Sequence, residues 1–108
     1  MMLPIIKFVK GNGKARTKIS LKFGVEARYM QPYRYRKVNP DAVCLGMYYG
    51  KMCFKKYKIV RPMIRVVKQE SFLFTTYLVF HELCHWINDM LYEAFTKGKI
   101  DRFIDAHL

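Results

Sequence analysis

A chain of 108 residues, 52% hydrophobic and 16% aromatic, can build one modest core but not a catalytic domain beside a regulatory one, so a single domain over 1–108 is expected. Charges interrupt every apolar run short of the ~20 residues a membrane helix needs, and Met1 to Val9 carries no basic leader or small-residue cleavage site, which together point to a cytoplasmic protein without a membrane span. The net charge of +12 is unevenly placed, with 17 Lys/Arg against 2 acids in residues 1–68 and 3 against 6 in residues 69–108, so the first part reads either as a surface for nucleic acid, helped by interleaved tyrosines such as Tyr29, Tyr48 and Tyr57, or as a solvated charged face.

Taken in chain order, Ile5, Ile6, Phe8 and Val9 predict a strand, and Gly11-Asn12-Gly13 predicts a turn. Ile19, Leu21 and Phe23, alternating with Ser20 and Lys22, then predict a second strand that closes a hairpin. From Val25 to Asp41, Pro32 and Pro40 argue against a continuous element, and only a helical turn over Val25 to Met30 is expected. Residues 42–60 predict a second hairpin: Val43, Leu45 and Met47 alternate with smaller residues, a turn falls near Tyr49-Gly50, and Met52 to Val60 returns with a bulge at Lys55-Lys56. Cys44 and Cys53 fall opposite one another there, as a disulfide or as two buried thiols. With Cys84 they form no CxxC pair and no zinc-finger spacing.

Pro62 ends the returning strand, and a long helix is expected to begin between Ile64 and Ser71. Leu73, Tyr77, Phe80, Cys84 and Ile87 form its predicted core stripe, widened by Phe74, Leu78, Leu83 and Trp86. Asn88-Asp89 is either two solvated helical residues or, as favoured here, a turn that caps a second short helix from Met90 to about Thr96. Gly98 is a stop, and Ile100 to Leu108 is a closing helical segment with Phe103 and Ile104 turned inward. The expected class is α+β: a small antiparallel or mixed sheet of three to four strands packed on the long helix, followed by the short helix and the C-terminal segment.

The chemistry is concentrated in His81-Glu82-Leu83-Cys84-His85. On a helix, residues i and i+4 share a face, so both imidazoles reach one metal ion while Glu82 projects beside it as general base for its bound water. A catalytic zinc takes a third protein ligand and keeps a fourth position for water. Were the helix to run straight on, Glu93 would recede by about 12 Å from His85; a turn at Asn88-Asp89 would bring it back, and Glu93 is the favoured third ligand. Asp105 and His107 are the alternatives, and Asp101 or Asp105 is placed to bond a ligating histidine from behind. Tyr77 and Tyr92 either assist an oxyanion or pack.

The strand-rich first half, the His81–His85 motif and the nearby Glu93, within the run Tyr92-Glu93-Ala94-Phe95, resemble the gluzincin branch of zinc peptidases, and the small size is similar to the single-domain minigluzincins. The resemblance implies a zinc metallopeptidase with His81, His85 and Glu93 as ligands and Glu82 as base. It also implies latency through a C-terminal segment, here Lys99 to Leu108, acting within a monomer or exchanged between two chains. SprT-like proteases are the neighbouring resemblance; they use a later histidine, which would favour His107, and act on DNA-bound proteins, which suits the basic half. A reading from another class is a non-catalytic basic module that binds nucleic acid or protein and keeps a structural zinc with four protein ligands.

Overall fold

A computed structural model of the chain describes residues 3–30, 43–50, 61–91 and 98–107. The elements in order are β1 (Ile5–Val9), β2 (Gly13–Ala15), α1 (Lys18–Lys22), β3 (Ala27–Tyr29), β4 (Gly46–Tyr49), β5 (Met63–Val67), α2 (Phe72–Leu91) and α3 (Lys99–His107). The fold is α+β, with a mixed three-stranded sheet, a separate two-stranded sheet and a C-terminal helix.

The larger sheet has the order β1-β5-β4. Its centre is β5, whose sequence Met-Ile-Arg-Val-Val is largely β-branched and apolar; Ile64, Val66 and Val67 are fully buried. β1 runs parallel to β5 from Ile5 opposite Met63 to Val9 opposite Val67. β4 runs antiparallel, with Gly46 opposite Val66 and Tyr49 opposite Met63. One face of this sheet packs on α2 through Ile64, Val66, Phe74 and Leu78, with Ala27 from the smaller sheet in the same cluster. Phe23 stacks on Phe74 with ring centroids 5.1 Å apart.

Several expectations are corrected. Residues 18–22 form a helix, not a strand, because Thr17 and Ser20 make a reciprocal cap: Ser20 N–H donates to Thr17 Oγ1 at 3.0 Å and Thr17 N–H to Ser20 Oγ at 2.8 Å. Ile19 and Phe23 then share one helical face against the core while Leu21 is exposed. β1 therefore has no hairpin partner in that segment; β2 pairs antiparallel with β3, where a helical turn was expected. Met63–Val67 is the central strand, so α2 begins only at Phe72, with Ser71 Oγ accepting from Phe74 N–H at 3.2 Å. β4 is found where a strand was expected, but its partner among the described residues is β5; the returning strand 52–60, and with it Cys53, lies outside the described residues. Cys44 is a free thiol.

The stripe on α2 also differs. Its buried positions are Phe74, Leu78, Glu82 and Asn88, whereas Leu73 is 70% exposed and Phe80 and Ile87 are also exposed. The helix does not stop at Asn88-Asp89 but continues to Leu91. Both side chains have tertiary bonds: Asn88 Nδ2 donates to Asp101 at 2.9 Å, and Asp89 accepts from the Tyr48 hydroxyl at 2.7 Å. Gly98, at φ +86°, precedes α3, which turns Ile104 into the structure but leaves Phe103 58% exposed. No helix among the described residues is long and apolar enough to cross a membrane.

Candidate metal centre

The motif lies in the second half of α2, and α3 returns alongside that helix. His81 and His85, one turn apart, have ring centroids 5.1 Å apart. α3 presents Asp101 and Asp105, also one turn apart, to the same ground. Asp105 Oδ1 lies 3.2 Å from His81 Nε2 and 2.8 Å from His85 Nε2, while Asp101 Oδ1 lies 2.8 Å from His85 Nδ1. Asn88 Nδ2 fixes that same Asp101 oxygen.

The tautomer follows from these bonds. An Nδ1–H that donates to Asp101 leaves His85 Nε2 with a lone pair. That lone pair faces a carboxylate oxygen, an arrangement that requires a cation between them, either a proton or a metal ion. His81 Nε2 approaches the same oxygen. Burial pulls the His85 pKa down, but its bonds to Asp101 and Asp105 and the nearby charges of Asp105 and Glu82 outweigh it and raise the pKa above the ordinary value.

His81, His85 and Asp105 form a possible metal-binding group, their ligand atoms all within 4.8 Å of one another. Two imidazole nitrogens and a carboxylate oxygen suit a borderline cation, and at metal–ligand lengths near 2.0 to 2.1 Å the edge of a tetrahedron is about 3.3 Å. The 3.2 and 2.8 Å separations are close to that edge. The donor set is therefore compatible with a metal ion, and Asp101 supports His85 from behind.

Glu82, between the two histidines in sequence, is packed against β4 and remains close enough to His85 and Asp105 to feel their charges. It is only 8% exposed, and a Cβ at Gly46 would lie 3.3 Å from its Oε1 and 3.4 Å from its Cγ. The bare backbone of β4 thus makes room for the carboxyl. Burial pushes the Glu82 carboxyl up to about 7, with the charge of His85 lowering it and that of Asp105 raising it.

Of the ligands expected from sequence, His81, His85 and Asp105 are brought together, and Asp101 takes the supporting position. His107 is not; it ends α3, exposed, with its ring 4.5 Å from that of Phe103. Glu93, the favoured third ligand, lies with Tyr92 outside the described residues, and the turn that was to return Glu93 is replaced by continuing helix. Tyr77 packs, its ring 5.5 Å from Phe23. Sequence reasoning had no signal for Asn88 as the residue that holds Asp101, or for Gly46 as the residue that accommodates Glu82. No family model matches the chain, and neither does any curated protein or solved structure.

Proposed function

We propose that the chain is a small zinc-dependent metallopeptidase in which His81, His85 and Asp105 hold the ion and Glu82 is the general base. The observation that carries this reading is the convergence of two Nε2 atoms and one carboxylate oxygen within 4.8 Å, on the helix that also holds a buried glutamate between the two histidines. A zinc ion held by His81, His85 and Asp105 would supply Lewis acidity and a water acidified to near neutral pH. Glu82 accepts the water proton on its carboxylate and returns it to the leaving amine. Asp101 holds the His85 ring in one tautomer, with Asn88 holding Asp101. β4 is an outer strand of its sheet among the described residues and carries Gly46 against Glu82, so an extended substrate would pair with that edge.

Glu82→Gln tests the base: zinc content should be retained while peptidase kcat falls about a hundredfold or more. Unchanged activity, or purified protein that takes up no zinc, removes the reading.

A second reading is favoured by the same helix: α3 lies on the histidines as a latent closing segment would. Asp105→Ala separates the two. A resident ligand predicts that zinc affinity and activity are both lost, whereas a latency contact predicts that zinc is retained and activity rises.

A further inference from the structure

A second constellation shares no residue with the metal group. The parallel strands β1 and β5 end side by side, where Lys68 N–H donates to the Val9 carbonyl at 2.9 Å. Strand β3 is tied to that end by Gln69, a buried residue whose amide engages the Arg28 backbone on both sides. Its Oε1 accepts from Arg28 N–H at 2.7 Å, and its Nε2 donates to the Arg28 carbonyl at 2.7 Å and to the Val67 carbonyl at 3.1 Å. An open cleft of about 570 Å³ results, with Phe8, Lys10, Arg28, Lys68, Gln69 and Glu70 in its lining. Because Gln69 locks two sheets together there, the walls are preorganised.

The charge in the cleft is unbalanced. Lys10 and Lys68 are exposed and have no carboxylate partner among the described residues. The single acid, Glu70, already draws two cations: Arg28 Nη2 at 2.5 Å and Lys14 Nζ at 3.8 Å. Its carboxyl is held below the usual carboxylate range, first by the Arg28 bond and charge and then by the Lys14 charge. An anion therefore sits where these cations converge, and it is a side chain on an exposed tether. Beside it Phe8, 56% exposed, offers a flat apolar surface.

We propose that this cleft binds single-stranded nucleic acid, with phosphates on Lys10, Lys68 and Arg28 and an unstacked base against the Phe8 ring. Clustered cations beside an exposed aromatic ring are what a single strand requires, since every base has a face to stack and every nucleotide a charge. A duplex hides those faces, and a purely acidic peptide such as polyglutamate has no ring of its own to stack there. Glu70 is an internal competitor: its carboxylate takes the place of a phosphate on Arg28 until a ligand displaces it.

Fluorescence anisotropy of a labelled oligothymidylate with the full chain tests this. Binding should weaken between about 50 and about 200 mM salt with a log–log slope near −2, as expected for about three phosphate contacts. Lys10→Ala with Lys68→Ala should weaken binding tenfold or more, Phe8→Ala about tenfold, and Glu70→Gln should tighten it severalfold. The Lys10→Arg, Lys68→Arg protein should retain binding, which distinguishes lost charge from lost fold. The proposal is overturned if the oligonucleotide does not bind at the lowest salt, or if the lysine and Glu70 variants leave its affinity unchanged. It is also overturned if polyglutamate binds equally well and Phe8→Ala has no effect, an outcome that assigns the cleft to acidic peptides.

Discussion

Glu82 is costly to the fold unless something near it is positively charged. In the metal-free protein its carboxyl titrates at about 7 rather than the ordinary 4.5 because burial disfavours the charged form. Since the folded value is the higher one, the folded state binds the proton more tightly. Its advantage is therefore complete below about 4.5, lost progressively as pH rises through 7, and level beyond. The loss is roughly 3 kcal/mol. Urea denaturation of chelated wild type and chelated Glu82→Gln should show the variant gaining on the wild type as pH rises from 5 to about 8; a constant difference between the two proteins sinks the idea. At this scale the sequence was informative where the chemistry is local. His81, Glu82 and His85 are read from a one-turn spacing, whereas Asp105 lies twenty residues beyond His85 and its meeting with two rings depends on how α3 returns. Asn88-Asp89 has the composition of a cap, and a turn there favours Glu93 over Asp105. Those side chains instead bond Asp101 and Tyr48, partners with no signature in the local sequence.

The elements show the same division between local and tertiary information. The alternation of Ile19, Leu21 and Phe23 predicts a strand at α1, yet residues four apart also share a helical face, and the Thr17–Ser20 cap decides between the two periods. Thr17→Ala should cost about 1 kcal/mol, seen as a lower denaturation midpoint, while zinc uptake stays the same because α1 contributes nothing to the metal group. No change in the midpoint would mean that core packing of Ile19 and Phe23 alone holds the helix. β5 has the opposite character. Ile64, Val66 and Val67 with Met63 read as a short apolar run broken only by Arg65, which by period is not distinguished from the start of the helix that follows. β1 and β4 were legible, although their common partner was not, since pairing with the centre of a sheet is a contact across some sixty and twenty residues.

Across the whole molecule, the charge division seen in the sequence becomes a division of labour. Asp101 and Asp105 of the last third meet the histidines, while Lys10, Arg28 and Lys68 of the first part line the cleft at the ends of β1 and β5. One consequence concerns α3, whose only buried residue among those described is Ile104 and which meets the histidines of α2 through Asp101 and Asp105. A nine-residue helix with so small an apolar anchor does not secure itself. Its docking should depend on the cation that reconciles Asp105 with two imidazole nitrogens, so on the proposed zinc reading metal binding and the ordering of α3 are one event. Zinc at a hundredfold above its Kd should add about 2.7 kcal/mol to global stability. Hydrogen exchange should show that gain unequally: chelation should speed exchange through Lys99–His107 far more than through β5, whose backbone is paired on both sides. Asp105→Asn should bring the same acceleration with zinc present, and Asp101→Asn a smaller one. Equal acceleration of α3 and β5 on chelation would instead make the metal a general stabiliser, and no change at all would leave α3 held by Ile104 and the hydrogen bonds alone.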